Sequence, residues 1–198
     1  RMGDGDSIAA NRLLVRFQRE AKATAALRSA HTVAVYDFGL HEDTFYYVME
    51  LLDGMDLRTL VEVHGRQPVE RVLHLLRQAC HSLHEAHTVG LIHRDVKPGN
   101  LFVCRHGIDF DFLKVLDFGL VKDIRGSSHT IAAQEAGICG TPGFIAPEQI
   151  LDPRKADGRA DLYSLGCTAY WLLAGKPLFE GDTTMVILSH HMSAEPPP

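Results

Sequence analysis

The eight residues His93-Arg94-Asp95-Val96-Lys97-Pro98-Gly99-Asn100 constrain this chain more than any other stretch. Pro98-Gly99 marks a turn, because Pro presets one backbone angle and Gly admits conformations closed to other residues. The octet is therefore a loop, and its neighbours say what it joins. Upstream, Val72, Leu76, Ala79, Leu83 and Ala86 recur at the spacing of an amphipathic helix. Pro68 suits the first helical position and Gly90 the end. Downstream, Leu101-Phe102-Val103-Cys104 and Leu113-Lys114-Val115-Leu116 read as a hairpin that delivers Asp117-Phe118-Gly119 beside Asn100. The octet itself holds a carboxylate (Asp95), a cation (Lys97) and a carboxamide (Asn100). Such a group suits a negatively charged, metal-bound phosphate better than an acyl or glycosyl centre. A polar loop rich in turn formers would account for any one of these residues taken singly.

The 198 residues suffice for one domain with a sizeable core, and 45% apolar with 23% charged residues is a globular composition. A net charge of -5 gives no electrostatic case for nucleic acid or an anionic membrane. Cys80, Cys104, Cys139 and Cys167 are widely spaced, which fits reduced thiols in the cytoplasm better than a disulfide or zinc framework. No apolar run is long enough to span a bilayer, and Gly3-Asp4-Gly5-Asp6 stands where a signal peptide would need apolar residues. His81, His84 and His87 decorate the helix after Pro68 at three-residue steps, a spacing that does not keep one face for a metal.

The remaining elements follow from periodicity. From Ile8 to about Arg28, Leu13, Phe17, Thr24 and Leu27 share a helical face, and Glu20 lies on it too. Val33 to Tyr36 and Thr44 to Leu52 read as strands joined through Gly39 to Asp43, with Asp37-Phe38-Gly39 as a strand-end turn. Asp56 to His64 is a short helix closed by Gly65. Asp161 opens a further helix with Leu162, Leu165, Ala169 and Leu172 on one face, ended by Gly175, and Thr183 to His191 begins another.

In order along the chain stand His-Arg-Asp-Val-Lys-Pro-Gly-Asn, a strand pair, Asp117-Phe118-Gly119, Gly140-Thr141-Pro142 and Ala146-Pro147-Glu148. This series resembles the motifs of eukaryotic-type protein kinases, with Val96 where the family has Leu. The resemblance implies an α+β, two-lobed fold. Residues 1–52 would be part of the small lobe, with its C-helix and strands. Residues 53–198 would be a mainly helical large lobe without its final helices. It implies ATP and Mg²⁺, with Asp95 as base, Lys97 facing the transferred phosphoryl group, and Asn100 and Asp117 on the metal. Met49, Glu50, Leu52 and Asp56 would line the adenine and ribose, Phe102 would lie beneath the adenine, and Glu20 would pair with a strand Lys. Asp161 would brace the catalytic-loop backbone. Residues between Gly119 and Ala146 would be an activation segment, with Ser127, Ser128 and Thr130 as candidate phosphosites facing Arg94.

Lys97 with Thr141 is similar to the Ser/Thr class, so the expected partner is a protein substrate with a Ser or Thr acceptor. Asp161-Leu162-Tyr163-Ser164-Leu165-Gly166 looks most like bacterial members. Against the family pattern, no Gly-rich phosphate loop and no strand Lys precede Glu20, and the chain opens with Arg1 and stops at Pro198. Both ends read as cut, which leads to the expectation of weak or no catalysis from this stretch alone. The alternative is a pseudokinase-like binding module, against which the intact Asp95, Lys97, Asn100 and Asp117 argue.

Overall fold

The computed structural model describes residues 21–41, 44–118, 140–153 and 155–197. Glu20, Leu13, Phe17, Gly119, Ser127, Ser128, Thr130 and Cys139 lie outside the described residues. The first described stretch, 21–25, is helical, and Ala21 and Thr24 are buried on the face that the periodicity assigns inward.

Two strands follow, β1 (Val35–His41) and β2 (Thr44–Met49), paired antiparallel as a sheet of two. The pairing continues to His41 opposite Thr44, so only residues 42–43 separate the strands. Asp37-Phe38-Gly39 therefore lies within β1, opposite Val48, Tyr47 and Tyr46, and is not a strand-end turn. A Cβ at Gly39 would sit 2.7 Å from Tyr46 Oη, so the glycine makes room for a cross-strand ring rather than for a turn.

A second antiparallel sheet has the order β3-β4-β5, from β3 (Gly54–Asp56), β4 (Leu101–His106) and β5 (Asp109–Val115). The hairpin of β4 and β5 is as predicted, whereas β3 is too short to show any alternation. After β3 comes α1 (Leu57–His64), started by Asp56, whose side chain accepts from Thr59 N, and ended by Gly65 at φ 72. Next comes α2 (Val69–Thr88), one residue later than Pro68 had suggested. The chain then passes through α3 (Pro147–Leu151), α4 (Gly158–Ala174) and α5 (Thr184–Ser193).

The core lies where α2 crosses the three-stranded sheet. Val72, Leu75, Ala79, Leu83 and Ala86 of α2 pack with Leu57 and Leu60 of α1, Leu101 and Val103 of β4, and Leu113 and Val115 of β5. Leu75, fully buried, carries the contact that the spacing gave to the partly buried Leu76. Burying one such leucine contributes about 1.5–3 kcal/mol. Gln78 and Ser82 share the buried stripe because each has a partner. Gln78 accepts from Leu113 N and donates to Asp111 O, both at 2.9 Å, which satisfies the free edge of β5. The Ser82 and Thr32 hydroxyls lie 2.6 Å apart.

In α4 the inward face is Asp161, Ser164, Leu165, Thr168 and Leu172, while Leu162 is 51% exposed, contrary to expectation. The polar members turn the stripe: Ser164 and Thr168 bond back to the carbonyls of Ala160 and Ser164, both at 3.0 Å, and so tolerate burial. No group of His, Cys, Asp and Glu among the described residues could hold a metal by itself, His81, His84 and His87 included.

Candidate functional site

The octet sits between α2 and β4 and is held from both sides. His93 is fully buried; its Nε2 lies 2.8 Å from Leu116 O and its ring centroid 4.8 Å from that of Phe118. It thus ties the octet to the backbone that carries Asp117. Arg94 has φ 65, a left-handed conformation that costs an L-residue roughly 1–2 kcal/mol. Asp161, fully buried at the start of α4, holds the backbone there. Its Oδ2 accepts from His93 N at 2.9 Å and its Oδ1 from Arg94 N at 2.8 Å, the brace expected of it. His87 Nε2 approaches Asp161 Oδ2 at 2.7 Å, so the carboxylate is surrounded by three partners, which burial of such a group requires.

This hold aims Asp95, which is 5% exposed. Its Oδ1 accepts from the Thr141 hydroxyl at 2.8 Å, while Lys97 Nζ lies 3.0 Å from its Oδ2 and 3.0 Å from Thr141 Oγ1. Asn100 Nδ2 donates to Asp95 O at 2.8 Å and to Asp95 Oδ2 at 3.1 Å. With its amide nitrogen so committed, Asn100 turns its oxygen away from Asp95. The Leu116 amide donates to Asn100 O at 2.9 Å, which sets Asp117 beside the octet; Asp117 is exposed and has φ 44. Asp95, Lys97, Asn100 and Thr141 are in direct contact, and Asp117 adjoins them through the backbone.

The remaining candidates lie at the end of β2, just after it, and on the β3-β4-β5 sheet. Asp56, Phe102 and Lys114 are consecutive partners across the β3-β4-β5 sheet. Leu101 and Val103 face the core, so strand alternation turns Phe102 to the opposite side, where it is half-buried. Asp56 spends one carboxylate oxygen on capping α1, accepting from Thr59 N at 2.8 Å. Met49 ends β2 and is 39% exposed. Glu50 donates its amide to Ala34 O at 3.0 Å and places Oε1 2.6 Å from Lys114 Nζ. Neither backbone group of Leu52 is hydrogen-bonded among the described residues.

Two further residues escaped the sequence. His87 looked like surface decoration, and only the return of α4 against α2 reveals its carboxylate partner. Gln149, 3% exposed in α3, accepts from Ala146 N at 3.1 Å and donates to Arg94 O at 3.2 Å, joining Ala146-Pro147-Glu148 to the octet. Nothing in its local sequence marks a contact to a residue so distant along the chain.

The sequence profile of the family described as Protein kinase domain matches residues 6–195. The chain is 38% identical over 188 residues to serine/threonine-protein kinase PknB of Mycobacterium leprae, covering 93% of this chain and 29% of that protein. It is 38% identical over 189 residues to serine/threonine-protein kinase pkn3 of Myxococcus xanthus, covering 94% of this chain and 34% of that one. The chain therefore spans only about a third of these relatives' length. Among solved structures, Rad53 in complex with AMP-PNP matches with a TM-score of 0.70 and 27% identity, over 87% of this chain and 41% of that one. A double mutant of the Mycobacterium tuberculosis PknI kinase domain matches with a TM-score of 0.70 and 28% identity, over 94% and 63%. With these likenesses joined to the ordered motifs and the geometry around Asp95, the chain belongs to the protein kinase family.

Proposed function

We propose that this chain is the catalytic part of a protein serine/threonine kinase that transfers the γ-phosphoryl group of ATP to a Ser or Thr hydroxyl of a protein substrate. The observation that carries this reading is the contact set of Asp95, Lys97 and Thr141. Asp95 is placed to orient the acceptor hydroxyl and take its proton as the new oxygen–phosphorus bond forms and ADP leaves with the electrons of the old one. Lys97, beside Asp95, supplies positive charge where the transferred group gathers negative charge. Thr141 brings the segment that leads to Ala146-Pro147-Glu148 against the base, as a peptide acceptor needs and a small-molecule acceptor does not.

Asn100 and Asp117 present hard oxygen donors, and the outward turn of the Asn100 oxygen fits them to hold Mg²⁺. When bound, that cation neutralises charge on the phosphates. The nucleotide is assigned to the side of the sheet faced by Phe102 and Asp56, with Met49, Glu50 and Leu52 at the adenine; the open backbone groups of Leu52 support this. Glu20, as partner of a Lys, belongs to the same proposal. The lobes divide near residue 52, since from Gly54 onward the chain pairs with β4. No helix among the described residues is long and apolar enough to cross a membrane.

The test is Asp95→Asn in the full-length protein, with transfer of labelled phosphate to a protein substrate and nucleotide affinity measured in parallel. Turnover should fall by about 10²–10⁴ while nucleotide affinity holds. The same assay followed by phosphoamino-acid analysis should yield phosphoserine and phosphothreonine. An undiminished rate, or phosphotyrosine as the main product, would overturn the assignment.

A further inference from the structure

A cleft of about 420 Å³ lies between β3, β4, α1 and the start of α2, in the range of about 300–1,000 Å³ typical of ligand sites. Strand alternation separates it from the proposed nucleotide side: Phe102 and its partner Asp56 face one way, Val103 and its partner Met55 the other. The floor is apolar, made by Met55, Leu60 and Val103. The rim is basic, with His64, Arg66 and Arg71, and no carboxylate among the described residues lines it, although the chain carries a net charge of -5.

The three basic residues are not equivalent. Arg71 is committed to Asp111 through Nε at 2.8 Å and Nη2 at 2.6 Å, and to Gln67 through Nη1 at 2.7 Å. Arg66 has no hydrogen bond or ion pair among the described residues, so its guanidinium is the open cation of the rim. An apolar floor beside an unpaired guanidinium selects a ligand with an apolar body and a neighbouring carboxylate. β3 is an edge strand of its sheet, along which an extended peptide can lie.

We propose that this cleft docks an acidic, apolar peptide segment of a partner protein, with an apolar side chain on Met55, Leu60 and Val103 and a carboxylate on Arg66. Basic segments are disfavoured there by the same cations. The proposal concerns binding alone and stands whether or not phosphotransfer is shown.

The test is fluorescence anisotropy with the full-length protein and a short labelled peptide alternating leucine and aspartate, beside a peptide with lysine in place of aspartate. The acidic peptide should bind, more weakly as salt is added, and the lysine peptide should not. Arg66→Gln should weaken the acidic peptide about tenfold, and Arg66→Glu should weaken it further. Nucleotide affinity should stay unchanged in both variants, which also checks that they fold. Absent binding of the acidic peptide, equal binding of the two peptides, or indifference to both Arg66 variants would overturn the proposal.

Discussion

Lys114 Nζ lies 2.6 Å from Glu50 Oε1, joining the end of β5 to the segment that leaves β2. The pair is largely removed from water, with side chains 7% and 19% exposed, and the same Glu50 oxygen accepts from Ala34 N at 2.7 Å. One carboxylate thus gathers the entry to β1, the exit from β2 and a strand of the other sheet. A pair of this kind adds little net stability compared with apolar residues of the same size, but loss of one partner strands the other charge.

Glu50→Ala should therefore destabilise the fold by about 2–4 kcal/mol, since it leaves both the Lys114 ammonium and the Ala34 amide without an acceptor. The double variant Glu50→Leu with Lys114→Met should recover most of that loss. Urea unfolding of the two variants measures the difference; equal losses in both would show that the ion pair is not the origin.

Beside Asp95, the proposed base, Thr141 does two things with one hydroxyl, donating to Asp95 and accepting from Lys97. Thr141→Val keeps the shape and removes both bonds. A hydrogen bond to a charged group is worth about 1.5–3 kcal/mol, so turnover should fall roughly 10–100-fold, while Thr141→Ser stays close to the parent. Steady-state kinetics with a protein acceptor decides this. Equal rates in the Val and Ser variants would leave Thr141 as packing only.

The pH response of folding has a definite sign. Burial pushes the His191 imidazole below its ordinary value of 6.5, with His190 adding to the effect, and burial acts on His31 in the same direction. Below about 6.5 the unfolded chain binds protons that the folded chain refuses. Stability is therefore full above that pH and is lost as pH falls through the lowered folded values. His191 Nδ1 also lies 2.8 Å from Tyr163 Oη, where a neutral ring can accept and a protonated one cannot. Unfolding at about pH 7.5 and about pH 5.5 should show a drop that His191→Gln reduces and His31 partly maintains. An unchanged drop in that variant would remove His191 as a cause.

Much of this molecule was legible because its chemistry is local. Asp95, Lys97 and Asn100 lie within one loop, and the turn residues and the hairpin after them fix where Asp117 must fall. The helix after Pro68 declared itself by period alone. What stayed hidden depends on contacts between distant segments. Gly39 reads as a turn until Tyr46 is laid across it. Leu162 reads as core until the partnered Asp161, Ser164 and Thr168 claim the inward face of α4. His87 and Gln149 are ordinary helix residues until α4 and the Arg94 carbonyl meet them. Apolar pattern reports burial well, but a buried polar residue is explained only by its partner.

Gly158 offers the sharpest check of how the octet is held. It opens α4, where Gly→Ala ordinarily stabilises by about 0.4–1 kcal/mol. A Cβ there would sit 2.6 Å from His87 Nδ1 and 2.8 Å from its Cε1 and Cγ, so the ring must move. The ring is not free to do so cheaply, because its other nitrogen meets Asp161 Oδ2 at 2.7 Å. Gly158→Ala should thus cost about 1–3 kcal/mol, the usual penalty of overpacking, and should lower turnover by disturbing the backbone of Arg94 and Asp95. In a His87→Ala background the clash is absent, and the same substitution should turn neutral or stabilising. A double-mutant cycle on unfolding free energy and turnover measures this coupling. Additive effects would mean that His87 does not transmit the position of α4 to the octet.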